Sequence, residues 1–289
     1  MALAAVLPTY AFDRLPLRAW MAARNAGCPA AAADVTTLRL RGEVFHLDPA
    51  RRAEGRRLHR YAQLRPGPAF IERLLAANPT GAIKLGPGVE LAELPLAGER
   101  ELEVIGEGRG LVQAVLWAGR LARQPGARTA TRLPAGRSFS ARPAPVPLAP
   151  LGRYLHAVDP AIERAGLLGA LAAELGLGAL HPRVALLSAE RIHASPWLVP
   201  FEVLEAMPWG ERRVGLALRA LGAGRGRLEV KTRGFAEHAS ALARRLGRRL
   251  GEGGALLTLF VVRLERSPLA IIARRCRRPE AGLPAAGPC

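Results

Sequence analysis

The sequence predicts an open α/β sheet with crossover helices in its first half and a smaller α+β region in its second. Three observations carry this. Residues 1 to about 130 alternate short apolar runs with helical patterns, the rhythm of strands joined by crossover helices. The stretch Leu133 to Pro150 is then rich in proline, which removes backbone donors and stiffens the chain as a linker. Beyond it, strand candidates alternate with two helical patterns, which suits a compact sheet covered by helices on one face. Domains are expected at 1–138 and 151–279, joined by a linker at 139–150 and followed by a flexible tail at 280–289.

Each element has its own signal. PTYAFD reads as a strand ending at Asp13, and Leu15 to Ala26 as a helix stopped by Gly27. AAADV and EVFHLD read as strands ending near Asp34 and at Asp48, so three successive strands close on an aspartate. A basic loop follows, then a helix over Ala69 to Asn78 and a strand, GAIKLGPG, halted by Gly86, Pro87 and Gly88. ELEVIGEGRGLVQAVLWAG reads as a hairpin turning at Gly106 to Gly110. Asp159-Pro160 supplies an N-cap and a first-turn proline to a helix whose Ile162, Ala165, Leu168, Leu171, Ala172 and Leu175 share one stripe, a core face. WLVPFEVLEAMP, GRLEVKTRGF and GALLTLFVVRL then read as strands, separated by the helical ERRVGLALRALG and AEHASALARRLGRRL. No internal repeat is convincing.

Composition narrows the function. Lys+Arg 42 against Asp+Glu 24 gives +18, an excess that points to nucleic acid or another anionic surface. Nearly all of it is arginine, with Lys84 and Lys231 as the two lysines, and the abundance of Ala, Gly and Pro gives compositional bias a share in that excess. Cys28, Cys276 and Cys289 have neither metal-ligand nor disulfide spacing and read as free thiols of a cytoplasmic protein. No apolar run approaches the ~20 residues of a membrane span, and no metal is expected.

In open α/β sheets ligands bind outside the carboxyl ends of the strands, which places Asp13, Asp34 and Asp48 at a cleft. AFDRLPLRAWMAARNA, AADV and VFHLDPARR follow the order of class I S-adenosylmethionine-dependent methyltransferases. DPARR, IKLGPG, GEGRGLVQAVLWAG, YLHAVDPAIERAG and LEVKTRGF together resemble the bacterial methyltransferase-like proteins with a C-terminal THUMP-like domain. The resemblance covers nearly the whole chain. It implies a Rossmann-like methyltransferase sheet followed by a ferredoxin-like, THUMP-like region, with S-adenosylmethionine as cofactor and RNA as partner. By position, Asp13 matches the acid that binds the cofactor ribose, Asp34 the acid that meets the adenine amino group, and Asp48-Pro49 the place where the methyl acceptor meets the sulfonium. Arg51, Arg52 and Lys84, and Lys231 with Arg233 in the second half, are the candidate contacts to RNA phosphates. Each has a plainer reading. Aspartate favours turns and caps, arginine runs are usually solvated, and His46 in its apolar run is a structural histidine.

One part of the pattern is lacking. A strand followed by an acid and a G-x-G turn, where glycine lets the backbone approach the cofactor, does not precede Asp13. GEGRG comes too late and reads as a hairpin. The strand and turn are therefore expected upstream of residue 1, and this chain alone is expected to bind the cofactor poorly or not at all. Two functions follow: a methyltransferase acting on RNA by direct transfer, or a basic RNA-binding module without catalysis. No cysteine follows Asp48-Pro49, which disfavours a covalent thiolate route.

Overall fold

The computed structural model describes residues 5, 7–40, 42–50, 52–53, 56–57, 60–108, 110–264 and 267–277. These fall into two compact units, Met1–Leu102 with Gln113–Gly126, and Glu103–Val112 with Ala127–Cys289.

The first unit opens with β1 (Ala11–Asp13), α1 (Pro16–Ala26) and β2 (Ala30–Ala32). Pro16 sits in the first turn of α1, and Gly27 ends it in the left-handed conformation at φ 63. β1 and β2 pair in parallel, Asp13 opposite Ala32. β3 (Phe45–Leu47) follows, then the two-residue strands β4 (Arg52–Ala53) and β5 (Arg56–Arg57), α2 (Pro68–Ala77) and β6 (Gly81–Leu85). β3 lies parallel to β6, with Phe45 opposite Gly81 and Leu47 opposite Ile83. Any side chain at Gly81 would run into the Phe45 ring, so this glycine sets how closely the strands pack. α2 buries Phe70, Ile71, Leu74 and Leu75, the i, i+1, i+4, i+5 stripe of an amphipathic helix. β1 and β2 make a separate two-stranded sheet, and β3 is the end strand of a six-stranded one. Large apolar side chains lie exposed around the pair, among them Tyr10, Phe12, Leu17 and Trp20.

The hairpin of β7 (Arg100–Glu107) and β8 (Gly110–Ala118) turns where the glycines predict. β8 runs antiparallel to β6. β9 (Arg128–Leu133) and β10 (Arg137–Ala141) follow, antiparallel to each other. Part of the Pro-rich stretch is thus a strand. The prolines beyond it are seated rather than free: Ala179 N–H donates to Pro147 O and Ala149 N–H to Ala179 O, at 2.8 and 3.0 Å.

The second unit continues with β11 (Tyr154–Val158), α3 (Pro160–Ala165), α4 (Leu168–Leu175), β12 (Gly178–His181), β13 (Val184–Ala189), β14 (Leu198–Pro208), α5 (Glu211–Ala220), β15 (Ala223–Arg233), α6 (Ala239–Gly247), β16 (Ala255–Arg263) and β17 (Pro268–Arg275). The single helix expected after Asp159 is two, because Gly166 takes φ 70 and ends α3. Asp159 caps as expected, accepting from Ala161 N–H at 2.9 Å. The seven strands run β12-β13-β11-β14-β17-β16-β15. Val214, Leu218, Leu242 and Leu246 of α5 and α6 form one core with Leu257, Leu259, Val261 and Ile272 on one face of the sheet. Leu155, Val184, Leu186, Phe201, Phe260 and Ile271 form a second core on the other. The cysteines depart from expectation. Cys28 is free and buried, whereas Cys276 is disulfide-bonded, so the reading of three free thiols fails there.

Candidate functional site

Parallel β3 and β6 bring their carboxyl ends together, and two of the predicted site residues meet there. His46, Asp48 and Lys84 lie on one side of the pair, since alternate residues share a face and Ala82 is opposite His46. Lys84 Nζ lies 3.0 Å from Asp48 Oδ2, with both side chains partly exposed. Crowding that strips water from the His46 imidazole lowers its pKa, Asp48 opposes this and Lys84 adds to it. Pro49 is buried behind Asp48, and Ala50 bridges to Arg65, closing the base of the arginine loop. Glu93 anchors the same base: it accepts from Arg60 Nε at 3.0 Å and from Tyr61 N–H at 2.8 Å.

Asp13 and Asp34 lie at the carboxyl ends of the separate β1–β2 pair, and local turns use one oxygen of each. Asp13 Oδ1 accepts from Leu15 N–H at 2.8 Å. Asp34 caps a short 3-10 turn, its Oδ1 accepting from Thr36 Oγ1 at 2.7 Å and Thr36 N–H at 2.9 Å. Those bonds hold the Asp34 carboxyl below its ordinary pKa. Neither Oδ2 has a hydrogen bond among the described residues.

S-adenosylmethionine can therefore be tested half by half. Two carboxylates with a free oxygen at parallel strand ends suit the hydroxyl and amino donors of an adenosine. For the amino-acid half, no apolar strand leading into a glycine turn precedes Asp13, and no residue is assigned. Among the described residues no three His, Cys, Asp or Glu gather as a metal site, and no helix is long and apolar enough to cross a membrane.

A cavity of about 560 Å³ in this unit lies at the opposite end of the strands. Leu40 and Gly42, before β3, and Leu74, Ala77 and Asn78, before β6, line it. Of the basic candidates, Arg51 lies outside the described residues, and Arg52 is in β4, paired with Arg57 of β5.

Lys231 and Arg233 share one face of β15, as alternation requires, and that face carries the Phe201 and Phe260 core. Both cations are engaged. Lys231 Nζ is 3.1 Å from Glu229 Oε1 and 5.8 Å from the centre of the Phe201 ring. Arg233 reaches Glu163 at 3.7 Å. On α6, Arg245 is clamped by Glu237 and Glu211, which raise its pKa further. The basic residues that sequence reasoning passed over, Arg183 and Arg263, lie where β12 and β13 meet the ends of β15 and β16. Nothing local marks them, because that neighbourhood exists only once the sheet has formed.

Comparison with known proteins adds the lineage. Residues 199–275 match the THUMP domain-like family. The chain is 33% identical over 276 residues to uncharacterised S-adenosylmethionine-dependent methyltransferases from two strains of Mycobacterium tuberculosis, over 91% of this chain and 74% of each relative. A crystal structure of a candidate methyltransferase from Porphyromonas gingivalis superposes with a TM-score of 0.63 at 18% identity, over 81% of this chain. The chain spans 60% of that protein's length.

Proposed function

The chain belongs to the S-adenosylmethionine-dependent methyltransferases, with a THUMP-like C-terminal region, and we propose that it serves in methyl transfer to RNA. The observation that carries the reading is the Asp48–Lys84 pair at the carboxyl ends of parallel β3 and β6, the end at which such sheets bind ligands. S-adenosylmethionine supplies an electrophilic methyl group when bound. The chain's own residues do the rest. Asp13 and Asp34 offer a free carboxylate oxygen each to the ribose hydroxyls and the adenine amino group. Asp48 and the Pro49 backbone orient the acceptor, and Lys84 fixes the Asp48 carboxylate. Positioning suffices for direct transfer, and no covalent nucleophile is needed. The RNA assignment is supported by the +18 charge and by the THUMP-like match, and Arg51 and Arg52, next in sequence to Asp48-Pro49, are its proposed phosphate contacts.

Incubating the protein with methyl-labelled S-adenosylmethionine and separate pools of RNA, DNA and protein tests this. Label is expected in RNA, and is lost with Asp48→Ala; label in DNA or protein alone refutes the RNA assignment. Calorimetry in parallel is expected to find weak cofactor binding by this chain, further reduced by Asp13→Ala. Tight binding indifferent to Asp13→Ala would move the cofactor elsewhere. The second reading, RNA binding without transfer, stands if RNA binds and no pool is labelled.

A further inference from the structure

We propose that the cavity between the two edges of the seven-stranded sheet is a phosphate-binding site, with Arg183 and Arg263 as its cationic ligands. β12 and β15 are the outermost strands, yet His181, Arg183 and Val184 line the cavity together with Gly234, Arg263 and Leu264. The sheet must curl for this. Phe201 and Phe260 lie two strands apart, about 10 Å in a flat sheet, yet their ring centres are 5.0 Å apart. Lys231, one strand further out, also reaches Phe201. These contacts put the aromatic core on the concave side.

The space, about 380 Å³, admits a phosphate group with its neighbouring atoms. No acid lines it among the described residues. The side chains of Arg183 and Arg263 have no ion pair or hydrogen bond there, unlike Arg233, Arg245 and Arg249 of the same unit. Both residues are exposed, so water screens their mutual repulsion, and an anion between them would gain charge-assisted hydrogen bonds from each. Their planar forks match phosphate oxygens bidentately. His181 adds a donor. Its Nδ1 accepts from Arg183 N–H at 3.2 Å, which leaves Nε2 to carry the ring proton. The next side chain along β15 is short of an acceptor too, since Arg233 Nε is buried without a partner. Gly234, at φ 64, lets the chain turn out of β15 against Arg263.

The β12–β13 hairpin lies outside the matched residues 199–275, so a THUMP-like module alone does not supply the site. Assigning the phosphate to RNA rests on the function proposed above; the cavity's preference for phosphate does not.

The test uses the full chain with inorganic phosphate, and with one short RNA carrying or lacking a 5′-phosphate. Arg183→Gln/Arg263→Gln is compared with Arg212→Gln/Arg213→Gln, which removes equal charge from exposed positions on α5. The first pair is expected to weaken inorganic phosphate binding about tenfold or more, with the circular dichroism spectrum unchanged, and the second pair to leave it nearly intact. Equal losses in both pairs, or none in the first, overturn the proposal. If the first pair does not fold, Arg263→Lys replaces it: a weaker affinity in a folded protein supports the fork geometry, and an unchanged affinity overturns the site. Phosphate binding without RNA binding leaves the site standing and removes the RNA reading. RNA binding indifferent to the first pair overturns the assignment of the cavity's phosphate to RNA, and the inorganic phosphate arm alone then decides the site. A preference for the 5′-phosphorylated RNA identifies a strand end as the source, and equal binding of both, lost with the first pair, an internal phosphate.

Discussion

On the proposed function, Asp48 and Lys84 would matter for chemistry and hardly at all for stability. Their side chains are about 45% and 30% exposed, and ion pairs so placed contribute at most about 1 kcal/mol. Asp48→Ala is therefore expected to leave the denaturant midpoint nearly unmoved while reducing the rate of methyl transfer about a hundredfold or more. A stability loss matching the rate loss would make the pair structural. His156 is the opposite case. It is fully buried on β11, its Nε2 accepts from His193 N–H at 3.1 Å, and among the described residues its Nδ1 makes no well-aligned hydrogen bond, the Leu187 backbone opposing the effect of burial only in part. Burial, with help from the nearby His193, pushes its pKa down to about 4. The folded protein thus binds fewer protons than the unfolded chain between pH 4 and 6.5. Stability falls as pH drops through that window, by up to about 1.4 kcal/mol per unit. Urea titrations at pH 7 and pH 5 should show His156→Phe with the shallower dependence, and an unchanged difference would clear His156. Asp48 was legible in the sequence because its signal is local, an apolar run ending in Asp-Pro. His156 was not, since its burial is decided by strands far away in sequence.

Among the elements, glycines in helices separate local preference from tertiary fit. Gly169 in α4 and Gly215 in α5 look alike in sequence, and alanine is the better helix former by about 1 kcal/mol at either. Their surroundings differ. A β-carbon at Gly169 would meet the Ala144 and Pro145 carbonyl oxygens at 2.1 and 2.6 Å, backbone atoms with no freedom to give way. One at Gly215 meets nothing within 4 Å. Gly215→Ala is expected to stabilise by about 0.5–1 kcal/mol, and Gly169→Ala to destabilise by about 1–3 kcal/mol, both by urea unfolding. Stabilisation at both sites would mean that the Pro-rich stretch does not lie on α4. That stretch is also where reading the sequence fell short. Its prolines signal an extended chain correctly, but an extended chain can be docked as well as free, and the partner residues, Gly169 and Ala179, lie beyond it. β12, β13 and β17 escaped notice for a related reason, being apolar strands without turn residues distinctive enough to bound them.

For the whole molecule the excess of +18 is a weak guide until the arginines are sorted by what they touch. The sequence made Lys231 and Arg233 the phosphate contacts because they share a face, and they do. That face is the concave one, where Glu229 and Glu163 already neutralise them. A paired cation must leave its carboxylate to meet a phosphate, which sets the new contact against the lost one. Arg183 and Arg263, without an ion pair among the described residues, have no such contact to surrender. The two pairs therefore predict different salt dependence. Each phosphate contact steepens the fall of log affinity with log salt by about 0.7 for single strands and 0.9 for duplexes. Replacing Arg183 and Arg263 together should flatten the slope for a structured RNA by about 1.4 to 1.8. Replacing Lys231 and Arg233 should flatten it by less than half of that, because their acids are left behind to repel the RNA at every salt concentration, lowering affinity more than slope. Filter binding at four or more salt concentrations with the two double variants decides between them. If the Lys231 and Arg233 variant gives the larger change in slope, the ion pairs open on binding and the inner face of β15 is the RNA track after all.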